Sequence, residues 1–151
     1  GTWLTAALGI AQKFGVVTDK VLPFKLGGGS QMYTGAANTF YALAAQRRIA
    51  SYFNLGRDLN AWRNWLATKG PILTRLDVDN AFMQATATKG KLTSYTAGSG
   101  LGGHCVALVG YVNGAFIVRN SWGTGWGDKG FAHAADTYAQ PAFTEAFGVV
   151  L

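Results

Sequence analysis

Apolar residues recur at helical spacing near the start of the chain. Trp3, Leu4, Ala7, Leu8, Ala11 and Phe14 share one face, and Gly15 ends the pattern. Val16-Val17 reads as a short extended piece, Leu22-Pro23-Phe24 opens a non-helical stretch, and Gly27-Gly28-Gly29-Ser30 marks a loop. That run is not a phosphate cradle, because no Lys-Ser or Lys-Thr follows it at the required spacing. Residues 36–46 are Ala-rich and predict a short helix. Ile49, Ser51, Phe53 and Leu55 alternate with Ala50, Tyr52 and Asn54, which predicts a strand. Asp58 or Asn60 can cap a helix in which Leu59, Trp62 and Leu66 share a face, with Gly70-Pro71 as its stop.

Beyond Pro71 the period changes to two. Strands are predicted over 72–78, 104–112, 115–119, 130–134 and 146–151. Asn113-Gly114 between two apolar runs is a hairpin signal, since both residues tolerate positive φ. Helices come first and antiparallel strands follow, an α+β order rather than a wound βαβ one, and there is no internal repeat.

Composition narrows the function classes. Of 151 residues, 49% are hydrophobic and 13% charged, enough for a packed core and too apolar for a disordered chain. No apolar run reaches the roughly eighteen residues that span a bilayer, so no membrane partner is expected. The net charge of +6 comes from 13 basic side chains spread along the chain, without the clustered basic stripe of a nucleic-acid reader. The start, Gly1-Thr2-Trp3, has neither an initiator Met nor a basic-then-apolar leader, which points to removal of something upstream. With two histidines, one cysteine and no zinc-site spacing, no metal and no cofactor are expected. His133 is expected to be solvated or structural.

Two polar residues bracket the predicted hairpin. His104 opens its first strand in Gly102-Gly103-His104-Cys105-Val106-Ala107-Leu108-Val109-Gly110-Tyr111. Asn120 ends the second, followed by Ser121-Trp122-Gly123-Thr124-Gly125-Trp126-Gly127-Asp128-Lys129-Gly130. A turn centred near residue 113 pairs position 104 with about position 122, making His104 and Asn120 neighbours at the open end. A His base must be held in one tautomer by a group that accepts from its other ring nitrogen, and a carboxamide oxygen does this without adding charge. Residues 120–130 carry four glycines and two tryptophans, a composition that suits unusual torsions and an aromatic cover over a polar pair.

The segment Asn120–Gly130 resembles, almost letter for letter, the asparagine segment of papain-like (C1) cysteine peptidases. Residues 103–111 resemble their histidine segment. Gly15-Val16-Val17-Thr18 with Pro23-Phe24 resembles the stretch after the first-lobe helix, and Gly70-Pro71-Ile72 resembles the start of the second-lobe barrel. The resemblance implies a papain-like α+β fold. Residues 1–48 would be the remnant of a helical first lobe with a crossing loop, and residues 49–151 an antiparallel, barrel-like lobe carrying His and Asn. It implies that His104 is the general base and acid, that Asn120 orients it, and that Trp122 shields the pair. Trp126 would be the second wall of the leaving-group side. Gly1, Thr2, Trp3, Gly103, Cys105 and Arg75 would line the substrate cleft, with Cys105 where the family usually has Ala and Arg75 where it usually has a small apolar residue.

The family's nucleophilic segment, Cys-Gly-Ser-Cys-Trp-like with a Gln before it, does not occur in this sequence. Cys105 does not substitute, because adjacent strand residues point to opposite faces, and by itself it reads as a small buried hydrophobe. The expected activity is peptide-bond hydrolysis, with a peptide or protein as substrate and the cysteine supplied by an upstream segment or chain. A secreted or extracytoplasmic place suits such an enzyme. Two other readings remain open: a catalytically inactive papain-like binding or assembly module, and a carbohydrate-binding or structural β module that uses the Trp/Gly loop as a contact surface. Without an upstream helix, Trp3, Leu8 and Phe14 are expected to be partly uncovered.

Overall fold

A computed structural model of the chain describes residues 2–24 and 33–151, so Gly1 and the expected Gly27–Ser30 loop lie outside the described residues. The chain divides into two compact units, one of residues 1–52 with 150–151 and one of residues 53–149.

In the first unit, the helical period of the N-terminal stretch forms α1 (Leu4–Lys13) and the Ala-rich segment forms α2 (Ala37–Ala45). Leu4 and Leu8 are the buried positions of α1. Gly15 sits at φ 91°, and a Cβ there would collide with the Ala44 carbonyl, so only glycine lets the chain leave α1 past the end of α2. The Val16 N–H then donates to the Arg47 carbonyl at 3.2 Å, and Ile49 N–H to Ala11 at 3.4 Å. Leu8 was expected to be uncovered and is buried instead, because it faces the interior of this unit. Trp3, at 78% exposure, and Ile10, at 56%, project outward with Phe14.

In the second unit, β1 (Ser51–Asn54), whose first residues belong to the other unit, is followed by α3 (Leu59–Thr68) and β2 (Ile72–Asp77). Then come α4 (Asn80–Met83), a 3-10 turn (Ala85–Thr88), β3 (Lys91–Leu92), β4 (Gly103–Val112), β5 (Ala115–Arg119), β6 (Phe131–Ala135), α5 (Asp136–Ala142) and β7 (Phe143–Val150). Asp58 caps α3 by accepting from the Asn60 N–H at 2.8 Å. The sheet runs in the order β1-β7-β2-β4-β5-β6-β3. The pairs β2/β4, β2/β7, β4/β5 and β5/β6 are antiparallel, and β3 joins β6 in parallel. The expected barrel-like lobe is therefore an open sheet, with β1 and the two-residue β3 as its edges.

The period of two in β2 divides its residues between faces. Ile72, Thr74 and Leu76 are buried, while Leu73, Arg75 and Asp77 are half-exposed. The inner face packs with Val106, Leu108, Phe116 and Val118 against Trp62 of α3, Phe82 of α4 and Tyr138 of α5. Trp62 makes edge contacts with Phe116 (5.8 Å) and Phe143 (6.1 Å). Each large apolar side chain buried in this way stabilises the unit by about 1.5–3 kcal/mol.

The β4–β5 hairpin turns at Asn113 (φ 50°) and Gly114 (φ 75°), as its dipeptide predicts. Its register begins at Val112↔Ala115 and shifts by one at a bulge between Leu108 and Gly110, giving Leu108↔Val118 and Ala107↔Arg119. Extended along β4, that register sets His104 opposite Trp122.

Purified alone, the chain is expected to bind a hydrophobic dye through the exposed Trp3, Ile10 and Phe14, and a Trp3→Ser, Ile10→Ser double variant should bind less. A monodisperse, cooperatively unfolding chain that binds no dye would contradict that expectation.

Candidate active site

His104 and Asn120 meet at the open end of the hairpin, with Nε2 of His104 2.8 Å from Oδ1 of Asn120. The same Oδ1 accepts the Ser121 backbone N–H at 2.8 Å. A backbone N–H only donates, so the atom it faces is the carboxamide oxygen, and this fixes which way the amide lies. Nε2 of His104 must then carry the proton, and in the neutral ring the lone pair sits on Nδ1. Asn120 is itself anchored by its N–H donating to the Gly130 carbonyl at 3.0 Å. It is nearly buried, and its Nδ2 has no hydrogen-bond partner among the described residues.

The turn that closes on Asn120 needs glycine. Gly127 (φ 63°) lies so close to the Phe131 carbonyl that a Cβ would overlap it, and Gly130 (φ 92°) donates to the Trp126 carbonyl at 2.7 Å. This tight loop turns both tryptophans inward. The Trp122 indole lies over the His104 ring, with centroids 4.7 Å apart and planes tilted by 34°. Trp126 is buried behind it, its ring centroid 6.0 Å from that of Trp122.

Phe82 of α4 stands at the centre of the cluster, a position that no hydrophobic period marks. Its ring lies 5.8 Å from His104, 5.4 Å from Trp122 and 4.7 Å from Trp126, and its carbonyl accepts the Trp126 indole N–H at 3.0 Å. A four-residue helix is too short to show a period, which is why it was missed. The only available signal was Asp79 three residues earlier, a cap whose Oδ1 accepts the Phe82 N–H at 2.9 Å.

An imidazole with Nε2 pinned by a carboxamide, a free lone pair on Nδ1 and an indole across its face is an arrangement that can take up and return a proton at Nδ1. Residues 1–145 match the profile described as papain family cysteine protease. The chain belongs to the papain family. It is 31% identical over 140 residues to cathepsin B-like CP2 of Giardia intestinalis, covering 87% of this chain and 45% of that protein. It is 28% identical to ananain of Ananas comosus, covering 89% of this chain and 38% of that protein. The chain thus spans less than half the length of these relatives. Among solved structures, xylellain, a cysteine protease from Xylella fastidiosa, matches with a TM-score of 0.78 at 20% identity, covering 99% of this chain and 62% of that one. Bromelain from Ananas comosus, solved with the inhibitor E64, matches at 0.68 and 20% identity, covering 100% of this chain and 70% of that one. At that identity the structural likeness establishes the fold.

The remaining family-implied positions are distributed as follows. Gly103 and Cys105 flank His104 on β4, and Arg75 sits directly across from Cys105 on β2. The Arg75 guanidinium covers Gly103 so closely that a Cβ there would collide with it. It pairs with Asp77 at 2.9 Å and donates to Thr144 Oγ1 at 2.7 Å. Thr2 and Trp3 belong to the first unit, where both are exposed ahead of α1. Gly1 is outside the described residues. Among the described residues no cluster of His, Cys, Asp and Glu is arranged to hold a metal ion.

Cys105 corrects the sequence reading. It was expected to be buried and is exposed, because it lies on the sheet face that carries Arg75 and Glu145, while His104 lies opposite the fully buried Leu76. Its sulfur therefore does point away from the imidazole. Neighbouring atoms still desolvate the thiol, and that effect, followed by the negative charge of Glu145, raises its pKa. A raised pKa means less thiolate at any given pH and slower reaction with electrophiles. Iodoacetamide should accordingly label Cys105 at pH 8 more slowly than it labels a small free thiol, with the rate rising in Glu145→Gln. Labelling faster than the free thiol would contradict this electrostatic environment.

Proposed function

We propose that this chain supplies the proton-transfer pair and part of the substrate cleft of a cysteine peptidase, with the nucleophilic cysteine coming from an upstream segment or a second chain. The observation that carries the reading is the hydrogen bond from His104 Nε2 to Asn120 Oδ1 beneath the Trp122 ring. In this mechanism Nδ1 of His104 takes the proton of the incoming thiol, and the resulting imidazolium is held by Asn120. The thiolate attacks the peptide carbonyl, Nδ1 then protonates the leaving amine, and an acyl-enzyme forms. Water, deprotonated by the same nitrogen, releases the acyl group.

Trp122 keeps water off the His104–Asn120 bond, and Trp126 supports it as part of the leaving-group wall. Gly103, Cys105 and Arg75 would contribute to binding an extended peptide. Under this reading residues 1–48 are a helical first-lobe remnant and residues 49–151 the lobe bearing His and Asn. Cys105 cannot act as nucleophile, since its side chain leaves the opposite face of β4 from His104.

The test is thiol-dependent cleavage of an unstructured peptide by the chain together with any polypeptide that copurifies with it. Activity should vanish on alkylation of a cysteine other than Cys105. His104→Ala should lower kcat by roughly 10²–10⁴-fold, the range expected for a general acid–base group. Cys105→Ala should keep most of the activity. A partner lacking a cysteine, or no thiol-dependent cleavage at all, would favour an inactive binding or assembly module, and a His104→Ala variant as active as the parent would overturn the acid–base role given to His104.

A further inference from the structure

The carboxylate of Asp79 is fully buried, and no Lys or Arg pairs with it among the described residues. A polar group is kept in such a place only where its bonds are made inside the protein. Asp79 makes three, to three separate segments. Its Oδ1 accepts the Phe82 N–H at 2.9 Å and the Tyr138 hydroxyl at 2.8 Å, and its Oδ2 accepts the Thr96 N–H at 3.0 Å. Capping a four-residue helix would account for the first of these alone. The bond to Thr96 instead reaches the segment that runs into His104. The preceding residue, Val78, holds the same segment further along, donating to the Gly102 carbonyl at 2.9 Å and accepting the Ser99 hydroxyl.

We propose that Asp79 is a positioning residue for His104. It acts from two sides. Through the Phe82 N–H it fixes the ring that abuts His104, Trp122 and Trp126. Through Thr96 it fixes the backbone that delivers Gly102, Gly103 and then His104 to the start of β4. Tyr138 braces the carboxylate from α5. Burial, followed by the hydrogen bond and charge of Asp79, raises the pKa of that phenol and keeps its hydroxyl a donor. No apolar side chain of similar size could accept from three segments, and an asparagine would turn an N–H towards the Thr96 N–H.

The catalytic consequence rests on the proposed role of His104, but the positioning itself can be read without turnover. In the purified protein, with any copurifying polypeptide, ¹⁵N-labelled histidines are followed by NMR, and His104 is assigned from the spectrum of His104→Ala. Two signals report its geometry: upfield ring-current shifts of its carbon-bound protons caused by Trp122, and slow exchange of its Nε2 proton. Asp79→Ala and Asp79→Asn should reduce the ring-current shifts and speed that exchange by roughly tenfold or more, the mark of local opening. Tyr138→Phe, which leaves both N–H bonds in place, should move the signals the same way and less far, and Asp79→Glu should partly restore them. Asp136→Asn, which breaks the Arg63–Asp136 ion pair elsewhere in the same unit, should lower Tm and leave His104 unchanged.

Unmoved His104 signals in Asp79 variants whose Tm has fallen would reduce Asp79 to a structural cap and overturn the proposal. Should Asp79→Ala not fold, Tyr138→Phe and Asp79→Glu decide it by the same signals. Neither signal requires a nucleophile, so a protein that cleaves no peptide still gives a definite answer on Asp79.

Discussion

Asn113 and Gly114 close the β4–β5 hairpin in the left-handed region, and everything at the candidate site is counted from that turn. Side chains alternate along a strand, so a slip of one residue would send His104 to the face of Arg75 and Cys105 into the core. The bulge between Leu108 and Gly110 performs one such one-residue shift, placed between the turn and the site. Without it residue 104 would lie one step out of line with residue 122. Turn and bulge together bring the imidazole under the indole, and the buried row of Val106, Leu108, Phe116 and Val118 makes any other register costly.

Around that register the site combines an apolar shell with very few polar bonds. Phe82, Trp122 and Trp126 exclude water from one side of His104, which strengthens the single bond to Asn120 and penalises any polar group left unmatched. The unpartnered Nδ2 of Asn120 shows that penalty. It is tolerated because Oδ1 of the same carboxamide has two donors, and because the Gly130 carbonyl holds the Asn120 backbone. The glycine-rich turn is the price of that arrangement: Gly127 passes the Phe131 carbonyl at a distance no side chain permits.

Much of this was legible in the sequence because it is encoded locally. The hairpin dipeptide, the strand alternation on either side of it and the distance from residue 113 to residues 104 and 120 placed the pair without reference to distant contacts. α1, α3 and the start of β2 were legible for the same reason, since each has a period and a recognisable end. What could not be read depends on packing between segments far apart. α4 and its Phe82 have no period, and α5 contains Pro141, which as a letter reads as a helix breaker but stands near the C-terminal end of a seven-residue helix. The exposure of Cys105 follows from facing Arg75 and Glu145 across two strand pairings, and neither pairing can be counted from a tight turn. Sheet closure also escaped: the strands were foreseen, but whether the outermost ones meet depends on β3, which pairs with β6 over two residues only.

The choice of a carboxamide beside His104 bears on what the site can do. A carboxylate at position 120 would also hold Nε2–H, but it would stabilise the imidazolium through its charge as well as its hydrogen bond. An imidazolium paired that way has less to gain from a second anion. With neutral Asn120, the charge of a protonated His104 is left to be balanced on the Nδ1 side, the side that faces away from the hairpin's own bond. Under the proposed function, the thiolate formed by proton transfer to Nδ1 would supply that balancing charge. The orientation of one amide, fixed by the Ser121 N–H, thus selects both which nitrogen is basic and what kind of partner stabilises it once protonated.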